Sequence, residues 1–166
     1  MGRIFYPTES FGKVPQIRRM PVLAAQTFKA GALVILTGAG PGTISECGLD
    51  PASITGVALQ DAFSGPGYNA ADNPTVVTGR DIDISVAVAN RDTIFSGRAV
   101  NGATDPVIPL VTHIGETYGV LKTGAGEWVI DITEVTVMSI IIVDIDLNLG
   151  TNLFFFKFRE AFLQQP

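Results

Sequence analysis

Apolar residues in this chain come in short runs cut by Gly, Pro, Asn and Asp, and nowhere take the spacing of a long amphipathic helix. Runs of this kind, returning every 8–12 residues or so, predict strands. They fall at 32–37, 42–46, 54–59, 74–78, 82–89 and 93–96, and again at 117–122, 127–132, 137–146 and 153–158. The cleanest alternation is Asp81-Ile82-Asp83-Ile84-Ser85-Val86-Ala87-Val88, which gives one buried and one wet face. Val137 to Val143 is almost continuously apolar, as in a strand buried on both faces. Phe154-Phe155-Phe156-Lys157-Phe158 puts aromatics on both faces, which must be covered by the core and an arm or by another subunit. Thr123-Gly124-Ala125-Gly126 predicts a hairpin turn. Residues 98–116 look like a connector rich in Gly, Asp and Pro, and the turn-rich stretch from Phe63 to Pro74 like a contact loop.

One stretch supports a competing interpretation. The run from Ala32 to Leu36, followed by Gly38, Gly40 and Gly42, imitates the first strand and phosphate loop of a dinucleotide fold. That loop works only if a helix follows at once and offers its terminal amides. Here Pro41 interrupts the glycines, Thr43 and Ile44 favour extended backbone, and Gly48, Asp50-Pro51 and Gly56 break any helix. A tight β-turn is therefore expected, with no cofactor.

Composition sharpens this. The 166 residues suffice for one domain or two small ones. Only 16% are charged, against about 25% in an ordinary soluble domain. A surface covered by neighbouring subunits explains this; a monomer with a Ser/Thr/Asn-rich exterior is the alternative. Cys47 is the only cysteine, so no intrachain disulfide forms, and with Glu46 beside it and no base it is expected to be a buried spectator. No signal-peptide core is visible at the N-terminus, and the longest apolar stretch is too short to span a bilayer, so a soluble protein is expected.

Charge is uneven. Residues 1–29 hold five basic residues and one acid, a net of +4, while 30–166 hold six basic and fifteen acidic residues, a net of −9, together the −5 of the whole chain. An acidic body with a basic leader argues against direct nucleic-acid binding. Residues 1–20 are expected to be an extended arm, because Pro7, Pro15 and nearby Pro21 forbid a long helix. Its cations (Arg3, Lys13, Arg18, Arg19) and aromatics (Phe5, Tyr6, Phe11) suit a groove on a partner. An edge strand packed on its own domain is the competing interpretation.

Residues able to carry chemistry are few. His113, the single histidine, has no Gly-x-Ser-x-Gly elbow to serve and is expected to be a loop or packing residue. Asp81/Asp83 and Asp144/Asp146 would each share a strand face and offer oxygens to a hard cation, or be no more than a solvated face. Trp128 is expected to anchor the core; a carbohydrate-binding module for host-surface recognition would instead use Tyr68, Tyr118 and Trp128 for stacking.

Phe28-Lys29-Ala30-Gly31, the apolar strand and Gly-rich turn after it, and then Ile54-Thr55-Gly56-Val57-Ala58-Leu59-Gln60-Asp61-Ala62, together resemble the capsid decoration (cement, head-stabilising) proteins of tailed bacteriophages. The match covers residues 21–97 plainly and the rest only by its β-rich character. It implies an all-β fold, a small β-barrel or sandwich (β-tulip-like) over 21–97, with the extended N-terminal arm over 1–20. A second β-rich C-terminal subdomain over 98–166 is an addition that the smallest such proteins lack. It also implies a virion structural protein on the outer surface of the capsid, a homo-trimer that bridges major capsid protein subunits. No catalytic residue, cofactor or metal, and no membrane, belongs to that picture. Arg3, Phe5, Tyr6, Phe11, Lys13, Arg18 and Arg19 would make the capsid contact.

Overall fold

The computed structural model describes residues 5–8, 15–23, 26–38, 42–62, 83–102, 105–148 and 152–164. The thirteen strands among them are β1 (Tyr6–Thr8), β2 (Ile17–Pro21), β3 (Leu33–Leu36), β4 (Ile44–Glu46), β5 (Gly56–Ala58), β6 (Asp83–Val88), β7 (Ile94–Gly97), β8 (Ala99–Asn101), β9 (Asp105–Pro106), β10 (Thr117–Lys122), β11 (Trp128–Asp131), β12 (Ile140–Ile145) and β13 (Phe154–Phe158). The fold is all-β and sandwich-like. One sheet has five strands in the order β2-β6-β5-β3-β4, and the other eight in the order β1-β7-β13-β12-β10-β11-β8-β9. Every pairing between these strands is antiparallel except β8 on β11, while the isolated bridges Val22–Ile44 and Ile54–Leu163 are parallel.

Neither sheet closes into a barrel. The five-stranded sheet curls until its edges touch at one bridge, Val22 to Ile44, where the Leu23 N–H donates to the Ile44 carbonyl at 2.8 Å. Gly56 permits tight packing of β5 on β6, since a Cβ there would lie 2.2 Å from the Ala87 carbonyl oxygen. Of the glycine stretch, Gly38 and Gly42 are described and belong to the β3–β4 hairpin: Leu36 pairs with Ile44, the Thr37 N–H donates to Thr43 at 2.8 Å, and a strand follows. Thr123 to Gly126 makes the β10–β11 hairpin, with Gly126 at φ +80°.

The strand prolines follow a simple rule. Pro7, Pro21 and Pro106 lie on β1, β2 and β9, each at the end of its sheet, where a missing N–H costs no ladder bond. Pairing crosses the expected boundaries at 20/21 and 97/98. Residues 6–8 lie on β7, residues 17–21 on β6, and β7 pairs with β13 in the sheet of the C-terminal strands. One hydrophobic cluster joins both sheets, from Leu33, Val57 and Val86 to Phe95, Trp128 and Phe156.

Two polar devices lock the sheets together. Glu46 on β4 accepts from the Trp128 indole N–H (3.0 Å) and from the Lys122 ammonium (2.8 Å), both on the β10–β11 hairpin. At the other end the C-terminal segment runs along residue 54: the Ile54 N–H donates to Phe162 and the Gln164 N–H to Ile54. The Gln164 side-chain oxygen then accepts from the Leu36 N–H (2.9 Å) and the Thr55 hydroxyl (3.0 Å), filling a gap in the β3 ladder.

Three expectations change in detail. The strand drawn over 137–146 begins only at Ile140, because the Glu134 carboxylate takes the N–H groups of Thr136 and Val137 into a turn. The connector at 98–116 contains β8 and β9 and a 3₁₀ turn over Val111–His113. The strand predicted over 74–78 and the loop from Phe63 to Pro74 lie outside the described residues.

Candidate interaction surface

The residues able to carry chemistry are committed to the fold. Cys47 is buried, its Sγ set 3.9 Å from the Ser53 carbonyl, and burial, reinforced by the Glu46 charge, pushes its thiol up to about 12. Trp128 is 1% exposed and spends its N–H on Glu46, so its ring is closed to a sugar. Tyr118 is half-buried with its ring edge against His113, burial and then the Glu116 charge raising its hydroxyl; Tyr68 lies outside the described residues. His113 organises a loop: its Nδ1 accepts the Leu110 N–H at 3.1 Å, and its ring packs against Tyr118 and Phe154.

Of the paired carboxylates, only Asp144 and Asp146 are both described, and they turn to separate partners. Asp83 is exposed on β6, and Asp81 lies outside the described residues. On β12 a register shift between Ile142 and Asp144 breaks the alternation, and the strand ends at Ile145. The Asp144 carboxylate accepts the Ile145 N–H, while Asp146 accepts from the backbone and side chain of Asn148. Among the described residues no three of His, Cys, Asp and Glu are grouped to hold a metal ion. An open cleft of about 400 Å³ is lined by Asn90, Arg91, Asp92, Glu160 and Leu163. Arg91 and Glu160 form an ion pair there, and the Asn90 side chain is used by the Asp92 and Thr93 N–H groups.

Of the arm residues expected at a partner, Arg3, Phe11 and Lys13 lie outside the described residues, and only the backbone of Tyr6 is described. Phe5 is fully buried and meets Phe156 edge-on, with ring centroids 5.0 Å apart. It covers one side of the β13 aromatics, as an arm packed on its own sheet would, and is not available to a partner. Arg18 and Arg19 are exposed on β2, where the Arg19 guanidinium donates to the Asp83 carbonyl at 2.9 Å.

What the surface does offer is apolar. Between β9 and β10, Ile108 and Val111 are 68% and 65% exposed, and Leu110 and Ile114 are exposed beside them. The loop is pinned: Val107 N–H donates to Ala99, Gly115 N–H to Ile142, Pro109 is buried, and His113 holds Leu110. Asp105 and Glu116 stand exposed at its two ends. Sequence reasoning missed this surface by treating 98–116 as a connector, although Val107-Ile108-Pro109-Leu110-Val111 is as apolar as any strand. The signal was an apolar run stiffened by two prolines, too apolar for an idle linker.

The chain matches no family model, no curated protein and no solved structure. No helix among the described residues is long and apolar enough to cross a membrane.

Proposed function

We propose that the chain is a virion structural protein that decorates a phage capsid from outside and stabilises it by bridging major capsid protein subunits, as a homo-trimer. One observation carries the contact role: four large apolar side chains held toward water by a pinned loop on a charge-poor chain. Scattered exposed apolar residues need no explanation, but a rigid cluster of four is what a surface covered by a neighbour displays. The sequence resemblance of residues 28–62 to decoration proteins supplies the capsid.

The mechanism is mechanical. Each chain lies across a seam and must be detached before the seam opens. At about 25 cal/mol per Å² of apolar surface buried, even a modest contact is large when summed over a shell, after the cost of association is deducted. A plate suited to this load is one whose sheets are cross-tied, as Glu46 and Gln164 tie these. The capsid contact falls to Arg3, Tyr6, Phe11 and Lys13 of the arm. Phe5 anchors the arm to its own sheet instead, and Arg18 and Arg19 stand exposed at its base.

The test is co-sedimentation of the purified chain with expanded heads that lack it. The chain pellets with the heads, and Arg3→Glu with Lys13→Glu reduces its occupancy. A chain that stays in the supernatant at every concentration refutes the reading.

A further inference from the structure

We propose that the apolar loop at 108–114 docks on strand β2 of a second copy of this chain, so that copies join head to tail. The proposal rests on the reading of that loop as a contact surface, and it names what covers it.

The loop is a ready-made knob. Ile108, Leu110, Val111 and Ile114 project from a 3₁₀ turn closed by the His113 N–H to Leu110 (2.9 Å) and the Ile114 N–H to Val111 (3.1 Å). Little conformational entropy is left to lose on binding, which favours a surface already in its bound shape. Its borders are acidic: Asp105 lies three residues before Ile108 and Glu116 two residues after Ile114, both exposed.

Strand β2 is its complement in three respects. It is the end strand of its sheet, and over Ile17–Pro21 it pairs, among the described residues, only with β6; the contact with β4 comes just after it, at Val22 and Leu23. Gln16 sits opposite Val88 and bonds it; in an antiparallel ladder Arg18 and Met20 then face β6, while the N–H and C=O groups of Ile17 and Arg19 point away from β6. The side chains offer an apolar contact, Ile17 at 54% exposure, beside the exposed cations Arg18 and Arg19. Apolar with acidic borders thus meets apolar with basic neighbours. The +4 leader and the −9 remainder repeat that polarity over the whole chain.

The two surfaces are different patches of one chain, so the contact is heterologous: each copy uses its loop on one neighbour and its β2 on another. Such a contact closes into a ring when the rotation allows. Closure also protects an edge strand that its charges, Pro21 and the bridge from Val22 to Ile44 already guard in part. The ion pairs give register and speed of encounter more than affinity, which comes from the apolar side chains.

Sedimentation velocity on the purified full-length chain, across a wide concentration range and without capsid, tests this separately from head binding. The chain associates, and Leu110→Ser with Val111→Ser raises the dissociation constant about tenfold or more while the near-ultraviolet dichroism is unchanged. Arg18→Glu with Arg19→Glu weakens association, Asp105→Lys with Glu116→Lys does the same, and the two reversals combined in one chain restore it. A monomer at every concentration overturns the proposal. So does an oligomer indifferent to both surfaces, or charge reversals whose combination restores nothing. Each of those outcomes leaves the co-sedimentation result with heads to be judged on its own.

Discussion

At the scale of single residues, the chain places its reactive groups where they serve packing. Cys47 shows this most clearly. Its thiol sits well above the ordinary 9.0, first because burial disfavours the thiolate and then because Glu46 is adjacent. A thiol reagent at neutral pH should therefore label Cys47 only as fast as the chain opens, and in denaturant at once; rapid labelling of the native chain would contradict this. The sign for stability follows. A folded value raised above the unfolded one means that the contribution is whole below about 9 and declines as pH climbs toward about 12. Ser139 is the opposite kind of residue. Its hydroxyl is buried with no hydrogen-bond partner, while its carbonyl accepts from Arg159. Ser139→Ala removes the unsatisfied group and keeps the backbone, and should leave stability unchanged or raise it by about 1 kcal/mol in urea unfolding. A loss of stability would show that the hydroxyl is satisfied after all. Lone Cys47 and core Trp128 were legible from sequence because isolation and type restrict what such residues do. The exact partner, Glu46, was not, because nothing in the spacing of residues 46, 122 and 128 marks them as neighbours.

At the scale of elements, hydrophobic punctuation is a good guide to strands and a poor guide to their neighbours. The predicted runs at 32–37, 82–89, 117–122 and 153–158 correspond to β3, β6, β10 and β13 within a residue or two. Apolar residues bounded by Gly and Pro have few other ways to bury themselves. Residues 6–8 and 17–21 form strands on the protein's own sheets, as the edge-strand interpretation of the arm had it, because an edge position forgives a missing N–H. The parallel register of β8 on β11 was invisible, since it depends on a return path and not on a local pattern. The tie from β4 to the β10–β11 hairpin can be tested directly. Glu46 is mostly buried and holds a charge and an indole N–H at once. Glu46→Ala should cost about 3 kcal/mol in urea unfolding, because it strands Lys122 and the Trp128 N–H together. Lys122→Met should cost less, since Lys122 is the more exposed partner and the Glu46 carboxylate keeps the Trp128 N–H. Equal and small losses for both would mean that the sheets are held by the apolar core alone.

At the scale of the whole molecule, the proposed contact role rests on low charge and on a pinned, exposed apolar loop. The sequence supplied part of the ground for that proposal: 16% charged residues, a basic leader and the apolar runs at 137–143 and 154–158. It did not reveal the exposed apolar loop, because 108–114 carries the composition of a strand and the position of a loop, and only the fold tells which is exposed. The described residues nearest the two termini are fastened, Phe5 into the β13 aromatics and Gln164 into the β3 ladder. A load applied at either end is therefore passed to both sheets. A capsid stabiliser must do this, and a tethered recognition module need not. The central claim is mechanical, so the deciding measurement is mechanical too: the temperature at which DNA-filled heads release their DNA, with the chain absent and at full occupancy. The account predicts a higher release temperature at full occupancy, with most of the gain lost in Leu110→Ser/Val111→Ser chains that still bind. Heads that bind the chain fully and yet open at the same temperature would contradict it.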